Sequence, residues 1–394
     1  MVLSFAFIVL ETASILLKVE SMKFLFCFLL GIFPLTLNAA PAAPSILARA
    51  WVLMDTASGL ELAAKDADVQ LEPASLTKLM TAYLIFSDIG KGKLALDGSL
   101  AVPESAAKPD GARMFLRPGQ QVKVHDLLQG MLVQSAGDAV LTLVDATAGS
   151  EAKFVERMNS EAARLGMTRT RFTNATGLSQ PGHISTAHDM ALLARALQRG
   201  FPGRQAYFAQ KEFSYQGVTF YNGNRLLWLD ASVDGLKTGR TPRAGYCLAA
   251  SARRGDQRRI AVLLGAGSDD ARIQGGLKLL NHGFENFDSV LLYRAGQPVK
   301  LANLYRGERN AISLGFLQDF YLFMPKGSAD RVKADIVTRQ PMVAPIRKGQ
   351  VLGTLRLTLD GKLLGEYPLL AQHDVGVAGV FGRGLDSIKL LFAK

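Results

Sequence analysis

The longest apolar run in the chain covers residues 24–37, broken only by Gly31, Pro34 and Thr36, and it follows Met22 and Lys23. A short basic start, an apolar core and then Ala39, Ala40, Ala42 and Ala43 are the parts of a cleavable signal peptide. Fourteen residues fall short of the roughly 20 needed to cross a bilayer, so an uncleaved anchor is the weaker reading. Residues 1–21 carry Glu11 and Glu20 among apolar residues, fit neither reading, and point to Met22 as the start. Downstream, residues 49–55 and 61–65 flank a turn and predict a hairpin. Leu76, Leu79, Met80, Tyr83 and Leu84 recur at helical spacing and predict a buried helix over 75–86. Helical patterns return over 125–133, 138–148, 151–165 and 186–199. A strand is predicted at 233–239, then a hairpin of 246–252 and 260–266 whose tip carries Arg253, Arg254, Arg258 and Arg259.

After residue 288 the texture changes to short strands at 298–301, 320–323, 332–337, 351–359 and 363–369, with Asp360 and Gly361 as a type I′ hairpin turn. The organisation read from these patterns is a leader over 1–42, an α/β domain over 45–287, an all-β domain over 288–379 and a terminal amphipathic helix over 380–394. That last segment sets Phe381, Leu385, Ile388 and Phe392 on one face, with Arg383, Lys389 and Lys394 on the others. It fits either a helix docked on the β-domain or one lying on an anionic membrane surface.

The chain has 394 residues, 48% of them apolar and 20% charged, which excludes a disordered polymer and favours two folded domains. Its formal charge of +11 points to an anionic partner. Removing residues 1–40 discards two positive and two negative charges and leaves that excess intact. Nucleic acid is a poor candidate, because the arginine-rich tip has no interleaved aromatics and reads as a solvated turn. There are only two cysteines, Cys27 in the leader and Cys247, so neither a disulfide scaffold nor a thiolate metal cluster is available. Cys247 reads as a small buried hydrophobe.

Ser75 and Lys78 form Ser-x-x-Lys at the start of the buried helix, where a spacing of three puts both on one face. A serine becomes a nucleophile when a base takes its proton. Lysine can be that base only if its pKa falls from about 10.4 toward 7, a shift costing about 4 kcal/mol that burial and a second cation can impose. The spacing alone is common: Ser150 and Lys153 repeat it, and Ser150 reads as a helix N-cap. What distinguishes Ser75 is its company, Ser135 in Gln134-Ser135-Ala136-Gly137-Asp138 and the strand-end Lys237-Thr238-Gly239. In this set Ser75 attacks an acyl carbon, Lys78 takes its proton, and Ser135 with Lys237 passes a proton to the leaving amine. Gly239 lets substrate lie along the strand, the N–H groups of Ser75 and Arg240 form an oxyanion hole, and Thr238 beside Lys237 suits a carboxylate.

These motifs resemble the serine penicillin-binding proteins, and specifically the low-molecular-mass D-alanyl-D-alanine carboxypeptidases. The resemblance rests on residues 73–81, 114–119, 172–177, 185–190 and 233–239 and spans nearly the whole exported chain. It implies a β-lactamase-like serine-enzyme domain, a C-terminal β-sandwich and an amphipathic tail on the periplasmic face of the cytoplasmic membrane. It also implies removal of the terminal D-alanine from peptidoglycan stem pentapeptides in cell-wall biogenesis and cell shape, acylation by β-lactams as covalent inhibitors, and no metal or cofactor. One position departs from the pattern: the family's second motif is Ser-x-Asn, and here the third residue is Gly137. Losing a polar contact there costs about 1–3 kcal/mol of transition-state stabilisation, roughly tenfold to a hundredfold in rate. Asp138, one residue on, replaces it only through a bulge or a water.

Three alternatives share the motifs: a β-lactamase, a peptidoglycan endopeptidase, and a weakened scaffold that binds cell-wall peptides. A zinc peptidase is disfavoured because His183 and His188 lack the His-Glu-x-x-His order. No Gly-x-Ser-x-Gly elbow is present for an α/β-hydrolase. His188 and Asp189 read as structural residues at a helix start.

Overall fold

The computed structural model describes residues 42–106 and 110–379. The leader and the 381–394 amphipathic helix lie outside the described residues.

Among the described residues, one five-stranded antiparallel sheet organises the first domain. Its strands are β1 (Ala50–Asp55), β2 (Glu61–Lys65), β3 (Val233–Thr241), β4 (Gly245–Arg254) and β5 (Gln257–Ala266), in the order β2-β1-β5-β4-β3. β1 is buried throughout, which strand alternation explains. Ala50, Val52 and Met54 face one apolar cluster, while Trp51 and Leu53 face another. The first cluster is filled by α1 (Lys78–Gly90), α2 (Gly137–Ala148), α3 (Glu151–Arg164) and α4 (Ala187–Gly200). The second is covered by α5 (Asp269–Asn286) through Ile273, Leu279, Leu280 and Phe284. This helix is absent from the pattern reading above, although Ser268 caps it and Asp269 and Asp270 occupy its first turn.

The arginine-rich hairpin corrects a sequence expectation. β4 and β5 run on to Arg254 and Gln257, so the turn is only Gly255 and Asp256 and the arginines belong to strands. The pairing of β1 with β5 sets Asp55 opposite Arg259. Arg259 is fully buried, ion-paired to Asp55, and donates to Gln257 Oε1 at 2.6 Å while lying 5.4 Å from the Phe284 ring. Arg258 pairs with Asp234 at 2.6 Å and Arg254 with Asp230 at 2.9 Å. Three of the four arginines are therefore spent on carboxylates, Asp55 and Asp234 on neighbouring strands and Asp230 just before β3, while Arg253 stays exposed 3.9 Å from Asp256.

α5 runs directly into the second domain. Its strands are β6 (Phe287–Tyr293), β7 (Pro298–Tyr305), β8 (Ala311–Gly315), β9 (Phe320–Pro325), β10 (Val332–Thr338), β11 (Met342–Val343), β12 (Val351–Leu359) and β13 (Lys362–Ala371). A two-stranded sheet β6-β9 and a six-stranded sheet β10-β12-β13-β8-β7-β11 share one core, including Leu314, Leu322, Met324, Leu355 and Leu369. Leu359 pairs with Lys362, and Asp360 (φ 50) and Gly361 (φ 79) both take the left-handed conformation a type I′ turn demands. The junction is polar and specific. Arg259 donates to Phe287 O at 3.3 Å, Gln257 Nε2 to Asp288 Oδ1 at 3.1 Å, and Ser289 Oγ to Asp55 Oδ1 at 3.3 Å.

Asp55→Ala strands a buried guanidinium at this junction. Its cost is expected to be about 3–5 kcal/mol in urea unfolding; a loss below about 1 kcal/mol contradicts the buried pair.

Candidate active site

Ser75 lies on a 3-10 turn, Ala74–Thr77, that feeds directly into α1. The helix predicted from residue 75 therefore begins three residues later, and the tight turn presents the serine at its mouth. Ala74 holds φ +47, a strained value for a residue with a Cβ, and Thr77 Oγ1 ties the turn back to Ala74 O at 2.8 Å. Backbone from two sides approaches this turn closely enough to require glycine. A Cβ on Gly177, at φ +84, would sit 2.0 Å from Ala74 O, and one on Gly239 would sit 2.8 Å from Ser75 N.

Lys78 is the first residue of α1, and its side chain is 3% exposed by residue. Its Nζ lies 3.1 Å from Ser75 Oγ and 2.6 Å from Thr176 O. Burial, with no compensating carboxylate among the described residues, lowers the amine from its ordinary 10.5 to about 7. The shift brings the neutral, proton-accepting form of the amine within reach at neutral pH. Lys237, also buried, donates to Thr238 O at 3.1 Å. Its pKa is driven well below the ordinary value, first by burial and then by the charges of Lys78 and Arg272.

Ser135 follows the helix Val124–Gln129 and a wider π turn, Gly130–Gln134, where a continuous helix over 125–133 was expected. It takes a left-handed conformation, φ 65 and ψ 27, and among the described residues its buried Oγ has no hydrogen-bond partner. Ser135 lines a cleft of about 310 Å³ together with Ser75, Lys78, Gly137, Lys237, Thr238, Gly239 and Arg240. Every candidate named from the sequence meets there. A larger concavity of about 580 Å³ between α1 and α3 holds no serine hydrogen-bonded to a lysine, so volume alone does not locate the chemistry. β3 is an edge strand, which leaves backbone groups of its 237–241 segment open to the cleft.

Gly137 donates its N–H to Ala112 O at 2.8 Å and presents no side chain to the cleft. Asp138 does not fill in. Its buried carboxylate accepts from Met114 N at 3.0 Å, Leu116 N at 3.1 Å and Ala139 N at 2.9 Å, pinning the 112–116 segment instead.

Three contributors escaped the sequence reading. Thr176 acts through its carbonyl, positioned because Asn174 Oδ1 accepts from Thr176 N at 3.2 Å and Gly177 N at 2.7 Å. The Asn-x-x-Gly spacing was the available signal. Arg272 comes from α5, reaches the cleft, and lies 5.6 Å from the Tyr246 ring. His183 accepts from Thr173 N at 3.0 Å and bonds Thr77 Oγ1 at 2.8 Å, bracing the nucleophile's turn. Burial lowers it to about 4, so it is neutral and structural at ordinary pH.

The remaining residues behave as read. Thr186 caps α4 through Asp189 N, Asp189 accepts from Arg169 N and Thr170 Oγ1, and His188 sits 3.5 Å from Asp68. Ser150 caps α3, and buried Cys247 has its thiol pushed up to about 11.

Comparison with known proteins agrees with this geometry. Residues 37–268 match the family model for D-alanyl-D-alanine carboxypeptidase, and residues 287–377 match that for the penicillin-binding protein 5 C-terminal domain. The chain is 40% identical over 358 residues to the D-alanyl-D-alanine carboxypeptidase DacC of Escherichia coli K12, covering 89% of this chain and 90% of that one. Penicillin binding protein 5 from Haemophilus influenzae superposes with a TM-score of 0.82 at 36% identity, over 85% of this chain and 99% of that one. Penicillin-binding protein D2 of Listeria monocytogenes in its ampicillin-bound form matches 62% of this chain and all of its own, at 32% identity and a TM-score of 0.57.

Gly177→Ala tests the close approach at the nucleophile. It is expected to lose about 2–4 kcal/mol in urea unfolding, because neither backbone can yield; unchanged stability contradicts the contact.

Proposed function

The chain belongs to the D-alanyl-D-alanine carboxypeptidase family of low-molecular-mass serine penicillin-binding proteins, and from that premise we propose how its cleft removes the terminal D-alanine from peptidoglycan stem pentapeptides. The observation that carries the reading is Ser75 Oγ, 3.1 Å from an amine that burial has brought to about 7. Ser75 attacks the carbonyl of the penultimate D-alanine as Lys78 takes its proton. The oxyanion is held by the N–H groups of Ser75 and Arg240, a role supported by the close passage of Gly239 at the nucleophile. The tetrahedral adduct expels the terminal D-alanine as its amine takes the proton Lys78 had accepted, routed through Ser135 and Lys237, which leaves Lys78 neutral again. Water then adds to the acyl-serine as Lys78 accepts its proton, and Lys78 returns that proton to Ser75 Oγ as the shortened peptide leaves.

The unpartnered Ser135 hydroxyl fits a relay whose second partner is substrate. Thr238 and Lys237 supply a hydroxyl and an amine as donors for the substrate's terminal carboxylate, with Arg272, ion-paired to Asp269, at the same cleft. A β-lactam meets the same nucleophile, but its ring nitrogen stays tethered after opening and blocks the second step. Gly137 removes one polar contact from the cleft, which makes turnover slower than a Ser-x-Asn site would give and favours, as the second reading, a weakened cell-wall-binding scaffold.

The site of action follows from the leader and the charge. Export by residues 1–42 delivers the chain to the periplasm, and Phe381, Leu385, Ile388 and Phe392 attach it to the outer face of the cytoplasmic membrane, aided by the +11 charge.

A fluorescent penicillin is expected to label the wild-type chain and not Ser75→Ala, and the wild type is expected to release D-alanine from a pentapeptide. Labelling without release favours the scaffold; labelling of Ser75→Ala removes the nucleophile assignment.

A further inference from the structure

The catalytic cleft does not end at Arg240. A second concavity of about 320 Å³ continues from it, sharing Arg240 and Thr241 and closing around Arg49, Arg243 and Tyr246. It lies at the turn where β3 passes into β4, and glycine backbone forms part of its wall. A Cβ on Gly265 would sit 2.6 Å from Arg49 Cδ, so the bare backbone there makes room for the arginine stem. The Arg240 guanidinium lies 5.0 Å from the Tyr246 ring, which fixes its direction. Arg243 is held by Glu72 at 2.9 Å, and Glu72 also accepts from Ser179 Oγ, which bonds Thr241 Oγ1 at 2.8 Å. Among the described residues, neither Arg49 nor Arg240 has a carboxylate partner. Three guanidiniums thus converge at the rim against one carboxylate.

The direction of the substrate assigns this excess. The scissile carbonyl must sit beside Ser75, where Gly239 passes, and the terminal carboxylate belongs with Lys237 and Thr238 on one side of it. The acyl part of the peptide therefore runs the other way along the open edge of β3, past Arg240 and Thr241. An extended strand advances about 3.4 Å per residue, so residues two to three upstream of the scissile bond lie roughly 7–10 Å further along β3, in the direction of the concavity that shares Arg240 and Thr241.

We propose that this concavity is an upstream subsite for a free carboxylate carried by the stem peptide two to three residues before the scissile bond. The proposal rests on the carboxypeptidase reading and adds a substrate preference to it. Guanidinium forks pair with a carboxylate through two parallel hydrogen bonds, whereas a carboxamide brings no charge and only one acceptor oxygen. The subsite thus distinguishes the free acid from the amide at a position remote from the chemistry. Because it acts before the bond is broken, it lowers KM and leaves kcat alone.

The test uses two synthetic peptides ending in D-alanyl-D-alanine that differ only in a carboxylate or carboxamide at the upstream position, with D-alanine release by the exported-form chain as the readout. Wild type is expected to show a KM about fivefold lower for the acid, a preference that shrinks at high ionic strength. Arg49→Gln with Arg243→Gln is expected to erase that preference by raising KM for the acid alone, with kcat unchanged. Arg49→Gln by itself breaks no ion pair and is expected to give a smaller change of the same sign. Equal KM values in the wild type, or an equal rise for both peptides in the variants, overturn the subsite and leave the peptidase standing. Absence of release from either peptide overturns both.

Discussion

An amine held out of water beside a hydroxyl is the constraint on which the first domain depends. Lys78 opens a helix whose Leu79, Met80, Ala82, Leu84 and Ile85 are all buried, so the charge-bearing end of its side chain is carried into the body of the domain. Among the described residues, no carboxylate is placed to compensate. The partners supplied are a hydroxyl and one carbonyl, which satisfy the amine's hydrogen bonds without stabilising its charge. Lys237, equally buried on β3, has its own pKa lowered first by burial and then by the charge of Lys78. A carboxylate in place of the Thr176 carbonyl would raise the amine's pKa and remove the base.

Both candidate serines of the cleft are held by backbone that a relaxed chain avoids. Ala74, next to Ser75, and Ser135 itself have positive φ, and each follows or forms a departure from α-helical geometry, a 3-10 turn in one case and a π turn in the other. Such conformations persist only where surroundings over-determine them. Here the Thr77 and His183 bonds, the passing backbone at Gly177 and Gly239, and the Asp138 carboxylate gripping the 112–116 segment supply that determination. Gly137 stands out against this background, since it gives up a side chain in a cleft otherwise densely supplied with polar groups.

The candidate side chains were legible from sequence because their chemistry resides in residue type and spacing: Ser75, Lys78, Ser135 and Lys237 line one cleft in the structure. What escaped is what spacing does not encode. The Thr176 contribution is a backbone carbonyl, and any residue type would provide one. Arg272 was invisible because α5, whose Gly275, Gly276 and Gly283 weaken the helical signal, was not recognised. Three of the arginines at the β4–β5 hairpin were read as exposed because their partners are remote in sequence: Asp55 comes opposite Arg259 through strand register, and Asp230 and Asp234 are brought up by the segment that enters β3. In the second domain the Asp360-Gly361 turn was read correctly from two residues, since left-handed backbone at both positions is a local demand.

The most direct test of the buried-base account is the pH dependence of Ser75 acylation by a penicillin under single-turnover conditions. Only the neutral amine accepts the serine proton, so the rate must climb as Lys78 loses its own proton. The account predicts a rising limb centred near pH 7. A rate that stays flat between pH 5 and 9, or that climbs only as pH approaches the ordinary lysine value of 10.5, would contradict it.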